Sequence, residues 1–273
     1  MQPAIKMALR VARQGADYLK AHFERQDIAG NDPGDRQRQL DRVTGKIYEN
    51  FAEQLQKAYK DHYIAPADDG SADGHALSWH IFPVLGAENL LRGIPEFVVA
   101  LVQKKDNRTE NLLLINPVTG EEYSASRGRG AALNSRRMRA SEIKHLSEGV
   151  VTSNLLDQAR GAEDPLIWGE LSATLASQSG QLRSAGCSVL DIARVAAGHL
   201  DAVVLFRPTP EDRDIGLALA NEAGVLSSDF SGNPASTDSR QLAIANPKLM
   251  REVLRTLSLS RHGCRAETGI PTD

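Results

Sequence analysis

Two cysteines, Cys187 and Cys264, are all the thiol chemistry in the sequence, and they stand far apart. That usage fits reduced thiols in a cytoplasmic protein. Cys187, inside an apolar helical stretch, reads as a small core residue. No charge of one sign dominates: the formal net charge is −3, so no overall field favours nucleic acid or an anionic membrane. No apolar run approaches a membrane span. No secretory leader is expected, because the N-terminus turns amphipathic at once. No internal repeat is visible. What is present is a chain of 273 residues, 41% apolar, long enough to bury a substantial core.

Ile5, Leu9, Ala12, Ala16, Leu19 and Phe23 recur at spacings of four and three, which predicts an amphipathic helix over 2–24. Lys6, Arg10, Arg13 and Lys20 give it a solvated basic face. Residues 26–37 are turn chemistry. A second helix is expected over about 38–60, with Leu40, Val43, Ile47, Phe51, Leu55 and Tyr59 on one side. Asp68, Asp69 and Asp73 do not have EF-hand spacing and no glutamate closes them, so 63–74 reads as a solvated acidic turn. Residues 97–134 look antiparallel, with strands at 97–103, 112–115 and 122–125 and turns at 104–107 and 116–120. Arg136, Arg137 and Arg139 form a basic cluster, either a solvated loop or a contact for an acidic or nucleic-acid surface.

Further on, strands are expected at 150–152, 201–206 and 242–245, and a helix over 165–180. Ile215, Leu219 and Ala223 mark another helix that Gly224 can close. Asn246 and Pro247 read as the N-cap and first residue of the final helix. Residues 259–273 lose periodicity and are expected to form a loose tail.

The stretch Trp79–Leu90 organises the rest. It starts as an apolar run, breaks at Pro83 and reaches Gly86, which can open a helix. Free backbone N–H groups collect at such a helix start. By pattern alone this is a plain strand–turn–helix connection. Its wording resembles the metal signature of the inositol monophosphatase family, in particular a bacterial extragenic-suppressor branch. That signature is a Trp, two apolar residues, then Asp-Pro-Ile/Leu-Asp-Gly-Thr-Thr-Asn. Trp79, Pro83, Gly86 and Asn89 are kept. Phe82 and Leu85 stand where the resemblance puts metal-binding aspartates, and Ala87 where a threonine helps position water.

The resemblance extends over about 1–258. Arg127-Gly128-Arg129-Gly130-Ala131 is similar to the family's Arg-Gly-x-Gly-Ala. Arg183–Gly198 is similar to its Arg-x-x-Gly-Ser run, with Gly186 kept and Cys187 in place of the Ser or Thr that holds substrate hydroxyls. Gly45 falls at a water-activating aspartate, Ala67 and Asp68 at a Glu-Glu pair whose first member binds metal, and Leu205 at a substrate-binding Glu. Asp212 alone keeps a metal carboxylate in place. Small Ala196, Ala197 and Gly198 would let a helix pack closely on a sheet.

The resemblance implies an α/β chain in αβαβα layers. It implies one domain over 1–258, with halves of about 1–145 and 146–258, and a homodimer. The family reaction needs Mg²⁺ held by carboxylates, and hydrocarbon stands at most of those positions. The expectation is therefore a member without a working magnesium site and without a cofactor. It would act by binding a protein or nucleoprotein partner, not a membrane, and the bacterial branch implies a link to RNA synthesis or ribosome maturation. An alternative is an active Mg-dependent phosphatase with a site rebuilt from Asp68, Glu211, Asp212 and Asp214. A third is a ligand sensor in an apolar cleft at Leu85 and Leu205. An anion site at the backbone of Gly86 and Ala87 competes with Glu88, whose carboxylate can satisfy the same donors.

Overall fold

The computed structural model describes residues 3–25, 32–65, 75–160 and 165–259. The chain forms two compact units, Met1–Arg137 and Met138–Asp273.

The first unit begins with the expected helix, α1 (Pro3–Arg25), followed by α2 (Pro33–Ala58). α2 starts five residues earlier than its apolar stripe predicts. Asp32 is the reason: its carboxylate accepts the Gly34 N–H at 2.9 Å, and Pro33 takes the first helical position, where no N–H is needed. Asp-Pro-Gly is thus a helix start in a sequence that reads as a turn.

Seven strands follow in one sheet: β1 (Tyr63–Ile64), β2 (Leu77–Leu85), β3 (Val98–Lys105), β4 (Arg108–Ile115), β5 (Glu122–Ser126), β6 (Gly130–Leu133) and β7 (Arg136–Arg137). They lie in chain order. β1 and β2 are parallel and every other pair is antiparallel. Leu9 and Leu19 of α1 and Ile47 and Phe51 of α2 pack on Trp79, Ile81, Leu101 and Leu113, alternate residues of three neighbouring strands. The strand does not break at Pro83. β2 runs through it to Leu85, with a register shift between Phe82 and Leu85. Proline has no N–H for the ladder, and an irregularity of this kind is where a strand can hold one.

The second unit is a five-stranded sheet in the order β11 (Leu226–Ser228), β12 (Gln241–Ala245), β10 (Ala202–Phe206), β8 (Val150–Ser153), β9 (Gln181–Arg183). β8 is parallel to both neighbours, and β12 is antiparallel to both of its own. α4 (Pro165–Gln178) and α7 (Met250–Leu259) cover one face through Trp168, Leu175, Val253 and Leu257 against Val204 and Ala243. α5 (Ser188–Ala196) and α6 (Pro210–Ala223) cover the other through Ile192 and Leu217 against Val203, Leu205 and Ile244. Val203 and Val204 therefore face opposite ways, as strand periodicity requires.

Two local readings change. Gly198 ends α5 and is not part of its packing face. It sits at φ +76°, and a Cβ there would meet the Arg139 carbonyl oxygen at 2.8 Å. The final helix begins at Met250, three residues after Pro247. Asn246 is still a cap, but of the turn that leads in: its Oδ1 accepts the N–H groups of Lys248 and Leu249, each at 2.9 Å. No helix among the described residues is long and apolar enough to cross a membrane.

Candidate functional site

β2 delivers the candidate turn in the first unit. Phe82 stands opposite Ala100 and Leu85 opposite Val98. Gly86 then takes a left-handed conformation, φ 88° and ψ 37°, which favours glycine, and opens α3 (Ala87–Leu91). Residues 82–87 are all half-buried. Asn89 holds the exit of the turn: its Nδ2 donates to the Glu96 carbonyl at 2.8 Å, and its own carbonyl accepts from the Ile94 N–H at 2.8 Å. The retained Trp79 is a core residue, 1% exposed. The kept members of the motif thus have structural work, and the changed ones are apolar. α3 has only five residues, with Glu88 in its first turn, so its amide donors already have a neighbouring carboxylate.

Gly45 lies on α2, exposed, with open space where a Cβ would stand. Ala67 and Asp68 lie outside the described residues.

The second unit holds the remaining candidates. Gly186, at φ 76°, turns the chain into Cys187, the N-cap residue of α5. Cys187 is 4% exposed, and burial pushes its thiol up to about 12. It is a protonated, unreactive sulfur at neutral pH. One turn on, Asp191 is buried and its Oδ2 accepts the Thr152 hydroxyl at 2.8 Å. Leu205 is 1% exposed and belongs to the apolar layer under α5 and α6, with Ile192 and Leu217.

Asp212 sits at the third position of α6 and is 6% exposed. Burial raises its carboxyl to about 6, against the opposing hydrogen bond from Thr209. Its Oδ2 accepts the Thr209 N–H at 3.0 Å, and the Thr209 Oγ accepts the Asp212 N–H at 3.2 Å, a complete capping box. The Thr-x-x-Asp spacing of 209–212 is the sequence signal for this capping box.

Magnesium, the ion the fold family implies, asks for several oxygen donors converging at about 2.1 Å. Phe82, Leu85, Gly45, Ala87 and Leu205 offer no side-chain oxygen. One oxygen of Asp212 is already bonded to the backbone. Among the described residues no group of three or more His, Cys, Asp or Glu side chains could hold a metal ion. Among the described residues the donor set does not fit magnesium. Arg136, Arg137 and Arg139 are all exposed, the first two on the outer strand β7.

Two units, a seven-stranded and a five-stranded sheet each covered by helices, with Gly86 opening α3 straight after β2 and Gly186 leading into α5, place the chain in the mixed α/β class. The chain belongs to the inositol monophosphatase family, whose sequence model matches residues 1–261. It is 32% identical to the Nus factor SuhB of Pseudomonas aeruginosa over 261 residues, 94% of this chain and 96% of that protein. It is 26% identical to the Nus factor SuhB of Escherichia coli K12, with the same coverage of both. Among solved structures, an IMPase from Thermotoga maritima superposes with a TM-score of 0.78, covering 99% of this chain and 100% of that one at 22% identity. At that identity the likeness speaks for the fold. The family and fold expected from the sequence are the ones found.

Proposed function

We propose that this chain acts by binding and does not hydrolyse phosphate esters. The observation that carries the reading is the hydrocarbon at Phe82 and Leu85, in the turn where the family motif has its metal carboxylates. A hydrated divalent cation gains nothing from a phenyl ring and an isobutyl group. The capping role of Asp212 supports it, since helix geometry accounts for that residue without a metal. The similarity to proteins named Nus factor SuhB supports a regulatory role linked to RNA synthesis. We further propose that the chain works as a homodimer in the cytoplasm on a protein or nucleoprotein partner.

The test is an assay of phosphate release by the purified protein from inositol monophosphate and several sugar phosphates, with and without Mg²⁺. The expected result is no Mg-dependent release. Turnover that Mg²⁺ switches on and Asp212→Ala abolishes would establish the phosphatase instead. Sedimentation gives the oligomeric state, expected to be a dimer. Capture from lysate on the immobilised chain, read by mass spectrometry, is expected to retain transcription proteins. Their absence would sink the regulatory part.

A further inference from the structure

The end of α2 enters the edge of the seven-stranded sheet through a short aromatic turn. Tyr59 closes the helix: its N–H donates to the Leu55 carbonyl at 2.8 Å, and its own carbonyl accepts the His62 N–H at 3.1 Å. β1 then pairs with β2 over two residues, Tyr63 beside Ser78 and Ile64 beside Trp79. The Ala65 N–H adds a bond to the Trp79 carbonyl at 2.9 Å, and the Tyr48 hydroxyl donates to the Ala65 carbonyl at 2.8 Å. An outer strand this short has little pairing of its own to hold it.

Two rings meet that of Tyr59. The His62 imidazole stacks on it, with centroids 4.7 Å apart and planes at 22°. The Trp79 indole lies tilted against it, with centroids 5.5 Å apart and planes at 39°. Each presents a buried nitrogen, His62 Nδ1 and Trp79 Nε1, with no hydrogen-bond partner among the described residues. Trp79 is 1% exposed. A buried polar atom left in that state is destabilising, so in a folded protein it marks a partner of another kind.

The Tyr59 ring is not that partner. An N–H or a ring lone pair lies in the plane of its own ring, so it points at a neighbouring face only when the two planes are near perpendicular. At 22° and 39° both nitrogens aim past the Tyr59 face.

The two atoms are complementary. An indole N–H only donates. Burial lowers the His62 pKa, against the opposing pull of Asp61, so the imidazole is neutral at neutral pH. A proton on its Nδ1 would strand a second donor, whereas a proton on Nε2 leaves Nδ1 an acceptor. A cation would leave the indole N–H unmet, and an anion would leave the imidazole nitrogen unmet. A molecule that accepts from one and donates to the other satisfies both, and water is the one small enough for so enclosed a place.

We propose that one resident water accepts from Trp79 Nε1 and donates to His62 Nδ1 beside the Tyr59 ring, and that it fastens β1 to the sheet.

The test is NMR of the full 15N-labelled chain at neutral pH. Two tryptophans give two indole signals, and Trp168→Phe identifies that of Trp79. In a rotating-frame spectrum a bound water gives the indole proton a cross-peak opposite in sign to the diagonal, and exchange with solvent gives one of the same sign. The bound-water peak is expected. It is kept in Tyr59→Phe, which removes relay through the Tyr59 hydroxyl, and lost in His62→Phe, which keeps a stacked ring without the acceptor. In His62→Phe the Ala65 amide is expected to exchange roughly threefold to tenfold faster, the effect of one hydrogen bond. Thermal midpoints show whether each variant is folded. The wild type alone gives a second readout: its crystal structure is expected to show a water within about 3.2 Å of both nitrogens. The proposal is overturned if the wild-type indole peak is missing or has the sign of solvent exchange, if either nitrogen bonds directly to a protein atom in the crystal, or if folded His62→Phe keeps the peak. Unchanged Ala65 exchange in that variant overturns the fastening of β1.

Discussion

Thr209 and Asp212 each hold the other's backbone N–H, at 3.0 and 3.2 Å, and so start α6. The carboxylate retained from the family's metal signature is therefore a structural residue in this chain. Its titration follows from its burial. The ordinary aspartate value of 3.8 is raised to about 6 in the folded protein. A raised carboxyl favours the folded state while it is protonated. That contribution is complete below about pH 4 and is lost as pH rises through about 6. The Asp212→Asn side chain cannot titrate but keeps an oxygen for the Thr209 N–H. Across pH 4 to 7 the wild type is expected to lose up to about 3 kcal/mol relative to that variant, read from urea midpoints at each pH. Parallel curves would refute the assignment.

Two glycines separate backbone need from accident. Gly198 has positive φ, and an added Cβ would meet the Arg139 carbonyl oxygen at 2.8 Å and the Ser141 nitrogen at 3.0 Å. Gly198→Ala is expected to cost about 2 kcal/mol or more, because backbone cannot step aside as a side chain can. Gly45 is mid-helix, exposed, with nothing within 4 Å of the added carbon. Gly45→Ala is expected to stabilise by about 0.5–1 kcal/mol through helix propensity. Equal effects of the two substitutions on the thermal midpoint would contradict this account.

These positions also show where sequence reading succeeds and where it stops. The stripes of α1 and α2 follow from spacing alone, since Leu9, Leu19, Ile47 and Phe51 are core wherever the helices pack. Helix starts are harder. Asp32-Pro33-Gly34 and Asn246-Pro247 have the same turn-forming composition, but the first caps an α-helix directly and the second caps a turn ahead of one. Pro83 resembles a strand end because its ladder bond is missing, and the irregularity that accommodates it is a property of β2 paired with β3. At the site, the apolar replacements at Phe82 and Leu85 are legible as residues. The capping of Asp212 is legible in Thr-x-x-Asp but hidden behind the metal motif. The meeting of His62 and Trp79 at the Tyr59 ring is not legible, because it depends on the parallel pairing of β1 with β2.

Cys187 makes a chemical prediction. Burial keeps its thiol protonated and inaccessible, at 4% exposure. In a Cys264→Ser background the native protein is expected not to react with Ellman's reagent over an hour, and to release one equivalent once unfolded in guanidinium. Cys187→Ser puts the preferred cap type at the start of α5 and is expected to change stability by about +0.5 to +1 kcal/mol, with no gain of phosphatase activity. Rapid native labelling would show that the sulfur is open to solvent and that the core reading of this position is wrong.

The connection into β8 depends on one carboxylate with two clients. Asp201, 5% exposed, accepts the Ser141 hydroxyl on Oδ1 at 2.5 Å and the Val150 N–H on Oδ2 at 2.7 Å. Ser141 in turn accepts from the Asn246 Nδ2 at 3.0 Å, so its hydroxyl proton is committed to Asp201. An asparagine at 201 has one acceptor where two are needed. If its oxygen serves Val150, its NH2 group faces a serine oxygen that already accepts from Asn246 and loses the acceptor for its own proton. Asp201→Asn is therefore expected to cost nearly as much as Asp201→Ala, about 2–3 kcal/mol in each case. In an Asn246→Ala background the serine oxygen is free to accept, and the additional cost of Asp201→Asn should shrink, a coupling that a double-mutant cycle reads directly. Additive effects of Asp201→Asn and Asn246→Ala would mean that the Ser141 proton is not what ties these residues together.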